Sequence, residues 1–341
     1  MDVPGEKLLI RMWESLANQG IGCLLKPWQI RREARAHLEA RREELLVLAQ
    51  AEKEIEEIRS GAKRVSSKGN SLKLLPAGAE NVDGRAESTR DIGGLLSIAQ
   101  GAEQAEALRK EVNVAKTILQ VEQTFLDDRS QPPDTLIDND WLYRWRDCAS
   151  MVSNDDLQSL WAKVLAGELK APGEYSLRTL EFLKNLSRQE AESIQRLCPF
   201  VANRKHIFTY GEMSLQPDVG LDFPLQMQEL GLISGVGGLG LSARWKPNAI
   251  GPGEFMQALY MGSEAVIART ADANKTFALN MYRVTPLGVQ VLALNPMEPP
   301  EPYVRAVAEA IKAQGFATSI ARLLTVPGAP SMMALGEERP I

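Results

Sequence analysis

The spacing of apolar residues is helical through much of the first 200 positions. After residue 154, large apolar side chains recur at steps of one and three, which places them on one stripe of a helix that must be buried. Ser153 stands three residues before Asp156, the spacing of a capping box. This pattern predicts a helix that begins near Asn154 and ends at Pro172-Gly173. The stripe consists of Leu157, Leu160, Trp161, Val164 and Leu165.

Short helices are also predicted on both sides of this segment. Ser187 and Glu190 repeat the capping-box spacing at the start of a helix that Pro199 ends. Four short helices with short connections can bury their apolar stripes only against one another. Residues 102–198 are therefore predicted to form a compact helical domain. Its structural motif residues are Trp141, Trp145, Trp161, Pro172, Gly173 and Ser176.

The same block carries a family resemblance. The run LWAKVLAGELKAPGEYSLRTLEFLKNLS, with DWLYRW before it, resembles the signature of an uncharacterised bacterial family, domain of unknown function 2806. This likeness continues upstream through GCLLKPWQIRREA. The central LWAKVLA part is similar to a helical segment of the Abi-alpha phage abortive-infection proteins. The first resemblance implies a lineage, the second implies a role in phage defence, and neither implies catalytic residues.

Two longer helices are predicted nearer the N-terminus. One runs from Trp28 to Ser60 and the other from about Ala102 to Leu126, each with an apolar stripe among mixed charges. Such helices pair with each other or with a second copy of the chain, so we expect a long antiparallel pair with coiled-coil character. A membrane-surface anchor built on the N-terminal tryptophans is the less favoured alternative. The segment between the helices is rich in Lys, Ser, Gly and Pro, which predicts a linker.

After Pro199 the composition shifts toward glycine, aromatic and β-branched residues. The order of a helix, LGLIS, a glycine-rich hairpin, a strand and a TPLG helix is that of many winged-helix modules. We therefore predict a winged-helix-like α+β domain in this part of the chain, a likeness of fold that does not define function.

The glycines of this region invite two interpretations. Gly235, Gly237 and Gly240 match G-x-G-x-x-G, but no helix start follows them to hold a pyrophosphate, so a hairpin tip is favoured over a dinucleotide loop. Arg244 and Lys246 lie beside that tip and are the candidate nucleic-acid contacts. The alternative is a pair of snorkelling cations around a packed tryptophan.

Composition narrows the class of protein. The 341 residues carry a net charge of -5 with a pI near 5.4, which argues against a broad nucleic-acid footprint. The three cysteines are far apart in sequence, as in proteins of a reducing compartment. The N-terminus lacks the pattern of a signal peptide and no apolar run approaches a membrane span. These features predict a cytoplasmic protein.

Candidate catalytic chemistry is sparse. Glu168 and Lys170, with Asp155 or Asp134, imitate the acidic and lysine pattern of metal-dependent nucleases, but the first two close a helix and surface charge is the favoured interpretation. The two histidines, His37 and His206, are remote from any cysteine cluster. We predict no catalytic, cofactor-binding or metal-binding residue and no cofactor.

The combined prediction is a mainly α protein: a long antiparallel helical pair, a compact helical domain and a C-terminal winged-helix-like α+β domain. The leading functional hypothesis is a non-enzymatic interaction or sensor protein in bacterial phage defence, with a protein partner or a second copy of the chain. A DNA-binding regulator and a metal-dependent hydrolase or nuclease are the alternatives. The predicted segments are an amphipathic and long helix (1–60), a linker (61–101), the helical domain (102–198), the winged-helix-like domain (199–325) and a loose tail (326–341).

Overall fold

The chain divides into two units. The computed structural model describes residues 6–21, 37–60, 63–68, 71–76, 92–126, 128, 131–211, 221–237, 241–326 and 329–341. The N-terminal unit is Met1–Leu180 and the C-terminal unit is Glu181–Ile341. The first consists of helices with one β-hairpin, and the second is built on an antiparallel sheet.

The N-terminal unit contains helices α1 to α5, the first half of α6 and the hairpin β1–β2. Their bounds are α1 Glu6–Asn18, α2 His37–Arg59, β1 Lys63–Lys68, β2 Ser71–Pro76, α3 Ile92–Phe125, α4 Asn139–Ser150, α5 Asp155–Lys170 and α6 Leu177–Lys184, the last of which crosses into the second unit.

Helix α3 is the centre of this unit. It packs against α1, α2, α4 and α5, and from Val112 to Glu122 it has buried side chains on every side, as expected of a helix surrounded by others. Helix α2 runs antiparallel to it, because Glu52 pairs with Lys116 while Ile58, six residues later, lies beside Gly101. The buried side chains of α3 are Ala105, Val112, Asn113, Val114, Ala115, Thr117, Ile118, Leu119, Val121, Glu122 and Phe125.

Local capping signals place most helix starts within one or two residues of their predicted positions. Asn154 caps α5 by accepting hydrogen bonds from the N–H groups of Asp156 and Leu157. Asp138, and not Asp140, caps α4 through the N–H of Trp141 at 2.9 Å. The carboxylate of Asp140 lies in the first turn, where its negative charge interacts favourably with the positive end of the helix dipole.

The C-terminal unit has ten strands and four helices of its own within its described residues. Their bounds are α7 Arg188–Leu197, β3 Val201–Ala202, β4 His206–Phe208, α8 Asp222–Glu229, β5 Ile233–Ser234, β6 Leu241–Trp245, β7 Asn248–Gly251, β8 Glu254–Met261, β9 Glu264–Thr270, β10 Phe277–Val284, α9 Pro286–Leu292, α10 Glu301–Lys312, β11 Ala317–Val326 and β12 Ala329–Pro340. The predicted capping box of Ser187 and Glu190 is confirmed at the start of α7, and Thr285 caps α9.

The strands form one antiparallel sheet, so the predicted fold class is wrong in this half of the chain. The order is β12-β11-β9-β8-β3-β4-β10-β5, with β6 also on β10 and β7 on β8. A winged-helix module does not contain a ten-stranded sheet of this kind. Some strands of this sheet were not predicted. Strand β9 is buried on both faces from Ala265 to Ala268, so its sequence lacks the alternation that marks a half-exposed strand.

The strands on either side of the glycine-rich segment lie along one edge of the sheet. Both β5 and β6 pair with β10, β5 at Arg283 and Val284 and β6 from Phe277 to Met281. The two strands therefore run in the same direction along one edge, and the segment between them is not the tip of a hairpin. Gly235 has φ +96°, and a Cβ there would lie 2.5 Å from the Leu241 side chain. Gly240 falls outside the described residues.

Helix α10 packs against β9, β10 and β11 through Tyr303, Val304, Val307, Ala308 and Ile311, all of which are fully buried. The hydroxyl of Tyr303 accepts a hydrogen bond from the N–H of Phe208 at 2.9 Å and donates one to the carbonyl of Phe200 at 3.0 Å. Burial raises the pKa of this tyrosine far above its usual range. The side chain therefore stays neutral and ties the start of the sheet to the helix.

Several predicted segments have structures of their own. The hairpin β1–β2 and the first turns of α3 lie in the predicted linker, and β12 lies in the predicted tail. The predicted helix start near Trp28 lies outside the described residues. Cys23 also lies outside them. Cys148 and Cys198 are free and buried. Among the described helices, none is both long and apolar enough to cross a membrane.

Replacing Gly288 with alanine should destabilise the C-terminal unit. A Cβ there would overlap the carbonyl oxygen of Leu232 and would lie 2.9 Å from Val284 Cγ1. Overpacking of this kind costs about 1–3 kcal/mol. Chemical unfolding followed by circular dichroism should show the loss for Gly288→Ala. Gly251→Ala, where the nearest atom is 3.7 Å away, is the matched control, and equal effects of the two would contradict this account.

Candidate functional site

The most distinctive site in the N-terminal unit is a buried carboxylate at the end of α5. Glu168 is 2% exposed. Its Oε1 accepts a hydrogen bond from the N–H of Gly173 at 2.6 Å, and its Oε2 accepts one from the N–H of Tyr175 at 2.9 Å. One side chain thus satisfies two backbone donors of the loop that follows the helix. We call this arrangement the Glu168 loop lock.

The loop can fold back because two glycines permit it. Gly173 has φ +90°, a left-handed conformation that favours glycine. Gly167 lets the Tyr175 ring approach the helix, because a Cβ at 167 would lie 2.6 Å from Cε2 of that ring. Ser176 then accepts a hydrogen bond from the N–H of Thr179 at 3.2 Å and starts α6. The chain AGELKAPGEYS therefore encodes a helix end, a folded loop and the next helix start.

The tryptophans use their indole N–H groups to connect helices. Trp141 Nε1 donates to the carbonyl of Tyr175 at 2.6 Å, and Trp145 Nε1 donates to the carbonyl of Trp161 at 2.9 Å. All three indole rings are buried. A buried Trp needs a partner for its N–H, and here the partners are backbone carbonyls of α5 and its loop. These rings seal helices together.

Several opposing effects act on the pKa of Glu168 in the lock. Burial raises the pKa of Glu168, the N–H groups of Gly173 and Tyr175 lower it, and the charges of Glu174 and Asp138 raise it further, with a net upward shift. Both oxygens already accept a hydrogen bond from the loop. This arrangement supports a folded loop more directly than it supports proton transfer to a ligand.

The residues of the nuclease interpretation do not converge. Lys170 pairs with Asp128, and its Nζ lies 5.6 Å from the centre of the Phe125 ring. Asp155 is exposed in the first turn of α5, at the opposite end of that helix from Glu168. The described residues include no group of three His, Cys, Asp or Glu side chains that could hold a metal ion.

In the C-terminal unit, the candidate contacts Arg244 and Lys246 are exposed on either side of Trp245. The indole of Trp245 is half-buried. It lies edge-to-face with His206 and Phe208, both at 5.6 Å between ring centroids, and stacks on Phe277 at 5.8 Å. Trp245 is thus packed, as the alternative interpretation expected, while the two cations remain at the surface. The aromatic cluster around it was not predicted.

One comparison with known proteins identifies part of the chain. Residues 100–208 match the family model described as Protein of unknown function (DUF2806). This confirms the resemblance that the motif block suggested. The DUF2806 segment runs from α3 to the end of β4, and it contains the Glu168 loop lock and the three buried tryptophans.

No curated protein and no solved structure gave a significant match to the chain. The comparisons do not show the local resemblance to the Abi-alpha proteins. What the DUF2806 segment does must therefore be inferred from its own side chains.

Sequence reasoning found the motif residues of the DUF2806 segment but missed how they act together. Gly167, Glu168 and Tyr175 were not predicted to form one unit. A signal was present in the sequence, because a carboxylate near a helix end that is followed by Pro-Gly can reach back to the N–H groups of the next loop. Trp141 and Trp145 were predicted as packing residues, and the hydrogen bonds from their indole N–H groups to backbone carbonyls could not be read from spacing.

The Glu168→Gln variant should destabilise the DUF2806 segment by about 1–3 kcal/mol, the cost of leaving one buried donor without an acceptor. The amide group of glutamine has one oxygen for two loop N–H groups, so one N–H would face the NH₂. Urea unfolding monitored by tryptophan fluorescence would measure the loss. Glu103→Gln, at an exposed position of α3, should unfold like the wild type, and a similar loss in both variants would argue against the lock.

Proposed function

We propose that the chain is a non-enzymatic interaction protein that associates with a second copy of itself through helix α2. The observation that carries the proposal is a pair of adjacent apolar side chains at the surface of this helix. Leu46 is 62% exposed and Val47 is 48% exposed. Both lie on a helix whose remaining composition is mostly charged or polar.

The inward stripe of α2 is already occupied. Leu48 and Ile55 are buried, and α2 packs against α3. Leu46 and Val47 point away from that stripe, because they lie one and two residues before Leu48 on a helix with 3.6 residues per turn. Full burial of a Leu or Val side chain is worth about 1.5–3 kcal/mol, so an interface over this pair would be favourable. Two antiparallel helix pairs that meet along α2 would form a four-helix arrangement.

The Glu168 loop lock supports the same class of function. The polar side chains of the DUF2806 signature bond the backbone of their own unit, so their role is to hold a scaffold. A scaffold of this kind suits a protein that acts through its surfaces. A role in phage defence remains a prediction.

Size-exclusion chromatography with light scattering tests the proposal. The wild-type chain should have the mass of a dimer, and the Leu46→Glu/Val47→Glu variant should have the mass of a monomer, because two buried charges oppose association. A control is Leu157→Glu, which replaces an exposed leucine on α5 and should leave the dimer intact.

Circular dichroism of each variant shows whether it has kept its fold. A wild-type chain that stays monomeric at the highest soluble concentration would contradict the proposal. So would a loss of the dimer that is equally large for Leu157→Glu.

A further inference from the structure

We infer that His206 makes the C-terminal unit sensitive to acid, because protonation of its ring releases the edge strand β6 from the sheet. The contact that changes is the one between the rings of His206 on β4 and Trp245 on β6. The inference concerns this unit alone and does not rest on self-association through α2.

The strand pairing places the two rings on the same face of the sheet. His206 lies opposite Arg283 in the pairing of β4 with β10, and Trp245 lies opposite Phe277 in the pairing of β6 with β10. Paired residues share a face, and so do alternate residues of one strand. Phe277 and Arg283 are an even number of residues apart on β10, so both rings lie on their face. The ring centroids are 5.6 Å apart at an interplanar angle of 81°.

The packing of β6 depends on Trp245. Among the described strands, β6 pairs only with β10. Only Ala243 and Trp245 of this strand are partly buried, and its other residues are exposed. The indole contacts the rings of His206, Phe208 and Phe277. Segments with few buried side chains open at a low local free energy, so a change at His206 acts first on β6.

The surroundings of the His206 ring suit its neutral form. Its Nδ1 is buried and has no hydrogen-bond partner in the described structure. The neutral ring can carry its one proton on Nε2, whereas the protonated ring has an N–H at both nitrogens. A proton taken up from solvent would therefore leave a buried Nδ1–H without an acceptor, which is unfavourable. Phe208, which stacks on the ring at 6.2 Å between centroids, offers no acceptor in its side chain.

The nearby charges also oppose a positive ring. Burial, and then the charges of Lys205 and Arg283, hold the pKa of His206 below its ordinary range. Lys205 precedes the histidine in the chain, and Arg283 is exposed on the same face of the sheet. Protonation would thus add a third positive charge beside two existing ones.

The elements around His206 supply no carboxylate to offset that charge. Strands β3, β4, β6 and β10 contain no Asp or Glu. Tyr282 on β10 and Tyr303 on α10 are buried, and burial raises the pKa of each, so both stay neutral. Arg244 lies opposite Ala278 and is therefore on the other face from the rings. The charged side chains of α10 are all exposed, namely Glu301, Arg305, Glu309 and Lys312.

The direction of the pH dependence follows from the lowered pKa. In the released state the ring is in water and has its ordinary pKa of about 6.5. Above that pH the ring is neutral in both states, and β6 stays packed. As the pH falls from about 6.5 to the pKa of the packed state, the equilibrium shifts toward release by about tenfold for each pH unit. At still lower pH this group has no further effect.

Histidine titration by NMR on the full chain, labelled with ¹³C-histidine, measures the pKa of His206. The chain has two histidines, so the signal that remains in His37→Gln belongs to His206. Its pKa should lie below about 6.5. Arg283→Gln removes a cation from the face of the ring and should raise this pKa. Arg244→Gln removes one from the other face and is the matched control, which should leave the pKa almost unchanged.

Hydrogen exchange of the β6 amides, corrected for the intrinsic rate at each pH, measures release. From about pH 7 to one unit below the pKa found by NMR, wild-type protection should fall about tenfold for each pH unit that separates 6.5 from that pKa. His206→Phe keeps a ring against Phe208 and takes up no proton, so its β6 protection should not change. The amides of β9, which pairs with β8 and β11, are the internal control and should stay protected.

Three results would overturn the inference. One is a pKa of His206 at or above about 6.5, as attraction of the protonated ring to the indole would produce. Another is an equal rise of this pKa in Arg283→Gln and Arg244→Gln. The third is a wild-type β6 protection that does not change with pH, or that falls equally in His206→Phe. If His206→Phe folds poorly by circular dichroism, the titration and the wild-type exchange still decide.

Discussion

The N-terminal unit depends on the burial of α3. Between Val112 and Glu122 this helix has neighbours on all sides, so its buried polar residues need partners within the protein. Asn113 donates to the carbonyl of Ser150, Thr117 donates to the carbonyl of Asn113, and Glu122 accepts from the indole of Trp13 at 2.8 Å. The bonds of Asn113 and Glu122 also fix how the end of α4 and helix α1 approach the central helix. The surrounding helices therefore have little freedom of position.

Buried polar side chains organise loops in both units. Glu168 gathers two N–H groups of the loop after α5, and the hydroxyl of Tyr303 joins the backbone at Phe200 to that at Phe208. Such a group is costly to bury alone, because its hydrogen bonds to water are lost, but a well-placed partner recovers that cost and selects one loop conformation. In the DUF2806 segment this explains why a charged residue occupies an otherwise apolar face.

The charged residues of the described structure differ in whether they have partners. In the helical motif block, charged and polar groups are bonded within the fold, as Lys170 is to Asp128 and Arg146 is to Glu111. Arg244 and Lys246, on either side of Trp245 in the chain, are exposed, and neither forms a side-chain hydrogen bond or ion pair with a described residue. Bonded polar groups contribute to a stable scaffold, while unpaired cations at a surface remain free for a ligand. The distribution of partners, more than the number of charges, separates structural residues from candidate functional ones.

The sequence by itself determined where several helices begin. The start of α5 at Asn154, the capping box of Ser187 and Glu190 and the cap at Thr285 depend on contacts two or three residues apart, which a local pattern contains. Only the tertiary structure decided the sheet, the loop lock and the aromatic cluster. Strand β9 pairs with β11 more than forty residues later, and His206 meets Trp245 from a distant strand. Such contacts are chosen by packing among distant segments, and no local spacing records that choice.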